Sequence, residues 1–174
     1  MIFMNEMIKK QMADAIREFR LPRYAELPDI GLYLEQTVTY INRCLAPLNC
    51  GQITGSMVSN YIKKDVFPGP VKKQYYPEQL AHLMVVAIVK NVLPLENIGK
   101  LFHMQKGVYT DQVAYDYFCS ELENMLFYSF GIRDTVEDIG VTVSDEKMML
   151  RGVIIAVSHM IHVNHCFDAI ESHK

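Results

Sequence analysis

No stretch of this 174-residue chain reaches the roughly 20 apolar residues that a bilayer span requires. Its two longest nearly apolar runs, 80–89 and 153–163, are broken by His82 and by Ser158, His159 and His162. The first 19 residues spread their charges among the apolar positions, so no secretion signal is expected. Cysteine is scarce. Cys44, Cys50, Cys119 and Cys166 show no CxxC spacing and read as reduced, mostly buried thiols of a cytoplasmic protein. A Gly-rich phosphate loop, a Ser-His-Asp order in a hydrolase elbow and paired carboxylates in an apolar setting are all missing, so an enzyme is not expected. Asp134, Glu137 and Asp138 fall in a charged connector and read as a solvated turn. No internal repeat or low-complexity tract occurs.

What is present is an ordinary globular composition, half hydrophobic and 21% charged. The net charge of −3 hides a polarity. Residues 1–52 are balanced, with six acids and six bases. Residues 53–106 carry seven lysines against three acids, whereas residues 107–174 carry eleven acids against four bases. Only the middle segment has the sign that a phosphate backbone attracts. The acidic segment is expected to face away from any polyanion.

Hydrophobic spacing predicts a mostly α chain. A first helix is expected over 5–19, with Ile8, Met12, Ala15, Ile16 and Phe19 on one stripe. A second is expected from an Asp29 N-cap, burying Leu34, Val38, Ile41 and Leu45. Thr54 caps a short third helix to Lys64 with Met57, Val58, Tyr61 and Ile62 inward. The run Val66-Phe67-Pro68-Gly69-Pro70 cannot be helical, and 71–76 is expected to return as a short strand, a small β-wing. Pro77 opens a helix to about Leu93, and Pro94 stops it and opens another to about Met104. Thr110 caps a helix reaching Phe130, where Gly131 ends it. A connector over 131–143, with an extended piece at 141–143, leads to a last helix from Ser144 to Ser172. The two C-terminal helices are expected to form an antiparallel hairpin. The division is a head over 1–106 and an acidic helical hairpin over 107–174 for dimerisation and regulation.

The segment 53–102 is the most informative. A short helix with small polar residues in its N-terminal half can enter a major groove. Its outward face carries Thr54, Gly55, Ser56, Ser59, Asn60 and Lys63. Asn60 suits a bidentate pair with adenine, and Ser56 and Ser59 suit base edges or phosphate. Lys63 and Lys64 at the helix end, and Lys72, Lys73 and Gln74 in the wing, suit backbone contact. A merely solvated helix face accounts for the same residue types equally well.

This segment resembles the MerR-type winged helix-turn-helix family. The resemblance rests on Tyr61, Lys64, Val66-Phe67-Pro68-Gly69-Pro70, Lys73-Gln74-Tyr75-Tyr76-Pro77-Glu78-Gln79-Leu80 and Leu93-Pro94-Leu95-Glu96-Asn97-Ile98. It covers under a third of the chain. Ser59 stands where that family usually has arginine, and the wing is shorter, so Lys63, Lys64, Lys72 and Lys73 must supply the charge. The whole chain is also similar to a bacterial family of domains of unknown function with a MerR-like head, through Leu21-Pro22-Arg23-Tyr24, Leu27-Pro28-Asp29 and 53–73. These resemblances imply a transcriptional regulator that binds double-stranded DNA, as a homodimer, with room for a small-molecule effector. The alternative is a protein-interaction module that keeps the helix-turn-helix shape without DNA, favoured by the missing arginine and the negative total charge.

Two further constellations bear on ligands. His159, His162 and Cys166 share a helix face at i, i+3 and i+7 and could offer two nitrogens and a thiolate to a metal. Without HxxxH or CxxC beside them, packing is the better account, and no metal or cofactor is expected. The aromatic stripe of Tyr115, Phe118, Phe127, Tyr128 and Phe130, with Met125, could line an effector pocket, though a helix core or dimer seam explains it more simply.

Overall fold

Pro77, at the first helical position, starts the helix around which the molecule is built. In the computed structural model, which describes residues 4–138 and 144–172, α4 (Pro77–Val89) buries nine of its thirteen residues. A helix apolar on every side must sit at the centre of the core. Around it lie α1 (Glu6–Arg17), α2 (Leu34–Leu45), α3 (Gly55–Lys63), α5 (Leu95–Lys106), α6 (Asp111–Ser129) and α7 (Asp145–Ser172). One continuous cluster of buried side chains joins all seven, from Ile8 and Ile16 on α1 to Ile154, Val157 and Ile161 on α7. The fold is mostly helical, with no β-strand among the described residues.

Local chemistry sets the helix starts. Asn5, Thr54 and Thr110 cap α1, α3 and α6, each side-chain oxygen accepting an amide N–H three residues on. Gln36 and Gln79 reach back instead, each accepting the backbone N–H of the residue before its helix, Tyr33 or Tyr76. The expected Asp29 cap is not used. Gly31 takes a left-handed φ of 74°, and Leu32 exchanges two backbone hydrogen bonds with Tyr75, at 2.9 and 2.8 Å. Leu32 is thereby held outside the helix, and α2 begins only at Leu34. The expected strand over 71–76 is corrected in the same way. Its return makes just two isolated bridges, Val71 with Gln74 and Tyr75 with Leu32, too few for a ladder.

The antiparallel hairpin expected at the C-terminus is also corrected. Tyr117 meets Lys147, Glu121 meets Arg151, and Phe130 meets His162 and His165. Contacts advance together along both helices, so α6 and α7 run parallel. Residues 131–138 double back along α6, where Asn124 exchanges two hydrogen bonds with the Glu137 backbone. The expected extended piece at 141–143 lies outside the described residues.

At 28 residues α7 is about 40 Å long. It is long and apolar enough to cross a membrane by length and composition, with an 18-residue window of mean hydropathy 1.3, of which 22% is buried.

Candidate nucleic-acid interface

Helix α3 is nine residues long and turns Val58 and Tyr61 into the core. That leaves Thr54, Ser56, Ser59, Asn60, Lys63 and Lys64 exposed on one side. The Thr54 hydroxyl, besides capping Met57 N–H, lies 3.0 Å from the Ser56 hydroxyl. Ser59 donates to the Gly55 carbonyl at 3.0 Å, so its hydroxyl is turned back onto its own helix. Asn60 and Lys63 make no side-chain hydrogen bond among the described residues.

The chain leaves α3 through Asp65, whose φ of 53° is left-handed and redirects the backbone. Val66 and Phe67 are then buried, and the Phe67 ring stacks on His82 at 5.8 Å between centroids. His82 in turn meets Phe102 edge-on at 4.6 Å. Gly69 runs against α3, where a Cβ would stand 3.3 Å from Ile62. After the tip the chain is buried again at Tyr75, which bridges Leu32. A buried aromatic therefore fixes each arm of the excursion, each stabilising it by about 2 kcal/mol.

The tip is a two-residue hairpin. Val71 and Gln74 exchange both backbone hydrogen bonds at 2.9 Å, and the central residues are Lys72 and Lys73, with φ of 50° and 66°. Positive φ at both positions is the type I′ arrangement, which asparagine and glycine adopt far more readily. A lysine held there costs about 1 kcal/mol. Both are exposed. Gln74 is half-buried and accepts from the Tyr76 hydroxyl at 3.2 Å, so it is less free than its neighbours. Gly31 has no room for a Cβ, which would fall 2.9 Å from the Tyr76 ring.

Lys63, Lys64, Lys72 and Lys73 have no ion-pair partner among the described residues. Elsewhere many cations are paired: Lys9, Arg17, Arg20, Arg23, Lys100, Arg133 and Arg151 each contact a carboxylate. Two long-range ties that sequence reasoning missed join the C-terminal helices to the N-terminal part of the chain. Arg23 Nη1 and Nη2 donate to Glu123 Oε1 and Oε2 at 2.8 and 2.7 Å, and Leu21 N–H donates to Glu123 Oε1 at 2.9 Å. The far end of α7 also reaches the turn between α2 and α3. His165 Nε2 lies 3.1 Å from the Pro47 carbonyl, and Asn49 donates to Asp168 at 2.5 Å. The acidic segment is thus joined to the head at both places. Salt bridges leave no single-residue trace in sequence, although Arg23 lies within the Leu21-Pro22-Arg23-Tyr24 run that carries the family resemblance.

His162 Nε2 is 3.8 Å from Cys166 Sγ, while His159 is exposed. No group of three His, Cys, Asp or Glu side chains able to hold a metal occurs among the described residues. Of the aromatic stripe, Tyr115 and Phe118 line a small void of about 40 Å³ beside His82, whereas Tyr128 is exposed.

A family model described as Domain of unknown function (DUF1836) matches residues 22–119, more than half of the chain. The chain belongs to the DUF1836 family. No curated protein and no solved structure matches it. The DUF1836 segment contains α2 to α5, the lysine hairpin and the first half of α6, and so all nine candidate interface residues. Its two ends meet: Tyr24 N–H donates to Asp116 at 2.8 Å and the Tyr115 hydroxyl to the Pro22 carbonyl at 2.9 Å. Helices α1 and α7 lie outside the match.

Proposed function

We propose that this DUF1836 protein is a cytoplasmic, sequence-specific DNA-binding transcriptional regulator of MerR-like type, working as a homodimer. In this reading α2 and α3 form a helix-turn-helix and the Lys72-Lys73 hairpin is its wing. α3 enters the major groove with Ser56 and Asn60 toward base edges, while Lys63, Lys64, Lys72 and Lys73 neutralise phosphates. The observation that carries it is the Lys72-Lys73 tip. Two exposed lysines without partners occupy left-handed positions where Asn-Gly would fold at lower cost. Strain retained against an easier alternative is a mark of function.

A second copy is needed because one short helix reads only a few base pairs. The outer face of α7 suits that role. Met148, Met149, Gly152, Ile155, Ala156, His159, Val163 and Phe167 are exposed along it, with Met148 and Phe167 each 61% exposed. Formal charge is absent from these positions, so two strongly acidic C-terminal segments can meet there without bringing like charges together. The opposite side of the same helix is occupied by α6, through Ile154, Val157 and Ile161 and the Arg151–Glu121 contact, which favours a protein partner over lipid for the remainder.

The second reading, an interaction module of helix-turn-helix shape that does not bind DNA, is favoured by Ser59, whose hydroxyl is taken up by Gly55 where the MerR resemblance expects an arginine. Selection from a random pool of duplex DNA decides between them. Enrichment of a two-fold-symmetric motif supports the regulator, and a pool that stays random after repeated rounds supports the module.

A further inference from the structure

A cavity of about 200 Å³ lies between the C-terminal end of α5, the first half of α6 and the first turns of α7. Its walls are mostly apolar, built from Leu101 and Met104 on α5, Val113 on α6 and Leu150 on α7. The parallel course of α6 and α7 creates it, because it sets the N-terminal turn of α7 beside Tyr117 rather than beside Phe130. Two charged groups line the same space, Glu146 and Lys147. Both are half-buried, and neither has an ion-pair partner among the described residues, including each other. The Lys147 ammonium instead lies 5.1 Å from the centre of the Tyr117 ring. The nearby carboxylate of Glu121 contacts Arg151 Nε at 3.1 Å and feels the Lys147 charge without pairing with it.

A largely apolar chamber with one cation and one anion that are in no ion pair among the described residues is complementary to a molecule carrying both charges on an apolar body. The volume is below the roughly 300–1,000 Å³ typical of sites for drug-sized ligands, so nucleotides and extended cofactors are too large. We infer that this cavity binds a small apolar α-amino acid, its carboxylate on Lys147, its ammonium on Glu146 and its side chain among Leu101, Met104, Val113 and Leu150. A simple aliphatic or aromatic acid would leave Glu146 unanswered, and a simple amine would leave Lys147 so. The inference does not depend on DNA binding.

Isothermal titration of the purified full chain, without DNA, tests it with L-leucine, L-phenylalanine, 3-phenylpropionate and phenethylamine. At least one of the two amino acids should bind with a Kd below about 1 mM. For whichever binds, Lys147→Met and Glu146→Gln should each weaken it about tenfold or more, and the single-charge analogues should bind the wild type about tenfold more weakly than the amino acid. Glu146→Gln should leave 3-phenylpropionate unweakened. Val113→Trp, which fills the chamber from a partly exposed position, should abolish binding while the thermal unfolding midpoint stays near that of the wild type. Absence of heat with both amino acids at about 10 mM would overturn the inference. So would equal binding of amino acid and single-charge analogues with no response to Glu146→Gln.

Discussion

Arg23 and Glu123, a hundred residues apart in sequence, face each other through two hydrogen bonds of 2.8 and 2.7 Å. Their side chains are 24% and 12% exposed, and the same carboxylate also accepts the Leu21 N–H. This is a two-pronged, largely desolvated pair that ties the segment before α2 to α6. Removing the guanidinium leaves a carboxylate with little water to replace it. Arg23→Ala should therefore destabilise the fold by about 2–4 kcal/mol, and Arg23→Lys should recover less than half, because an ammonium cannot satisfy both oxygens in parallel. Urea unfolding followed by circular dichroism measures both.

Glu121 is 1% exposed, and neither of its oxygens has a hydrogen-bond donor among the described residues. Arg151 Nε touches Oε1 at 3.1 Å, but off the line of a hydrogen bond. Burial pushes the carboxyl above its ordinary value, while Arg151 and Lys147 pull it back less strongly. The folded chain thus holds this proton more tightly than the unfolded one. Its stabilising effect is full below the unfolded value, near pH 4, and is lost as pH rises through the folded value. Glu121→Gln should raise stability at pH 7.5 by about 1 kcal/mol, since Arg151 is partly solvated and keeps Asp138, and the gain should vanish by about pH 4. Thermal melts across that range give the answer, and a variant less stable than wild type at pH 7.5 would contradict it.

The left-handed pair at the hairpin tip separates folding from function. Lys72→Asn with Lys73→Gly supplies the residues that a type I′ turn prefers, so it should stabilise the fold by about 1–2 kcal/mol. It also removes two cations from the proposed interface. Greater stability with weaker DNA binding is the expected outcome in paired melting and gel-retardation measurements. A variant bound to DNA as tightly as wild type would show that these lysines serve some other purpose.

Asn60 offers a different signature. Its side chain makes no hydrogen bond within the described protein, so Asn60→Ala should change stability by less than about 0.5 kcal/mol. On DNA it should reduce discrimination between the selected site and its variants by about 1–3 kcal/mol, with little effect on binding to unrelated duplex. Competition titrations against base-substituted sites measure that difference.

Helix positions were legible in sequence where a single residue type does one physical job. Thr54 and Thr110 accept amides, Pro77 and Pro94 stop or start a helix, and each does so here. Periodicity carried the inward faces of α2 and α3 for the same reason. What it does not encode is direction: the stripe on α7 packs against α6 equally well whichever way α7 runs, so the parallel arrangement was invisible without the course of the connector. The start of α2 was misplaced because Leu32 is committed to Tyr75, a partner 43 positions away. At the candidate interface, residue identities were readable but their backbone was not. Nothing in a Lys-Lys pair announces positive φ at both positions.

The dependence of DNA affinity on salt tests the central claim most directly. If Lys63, Lys64, Lys72 and Lys73 of two protomers all neutralise phosphates, log Kobs for the selected duplex should fall against log salt with a slope of about −7. Lys72→Gln with Lys73→Gln should flatten that slope by about 3 to 4. No retardation of any duplex by the wild-type protein at low salt, or an unchanged slope in the double variant, would contradict the account.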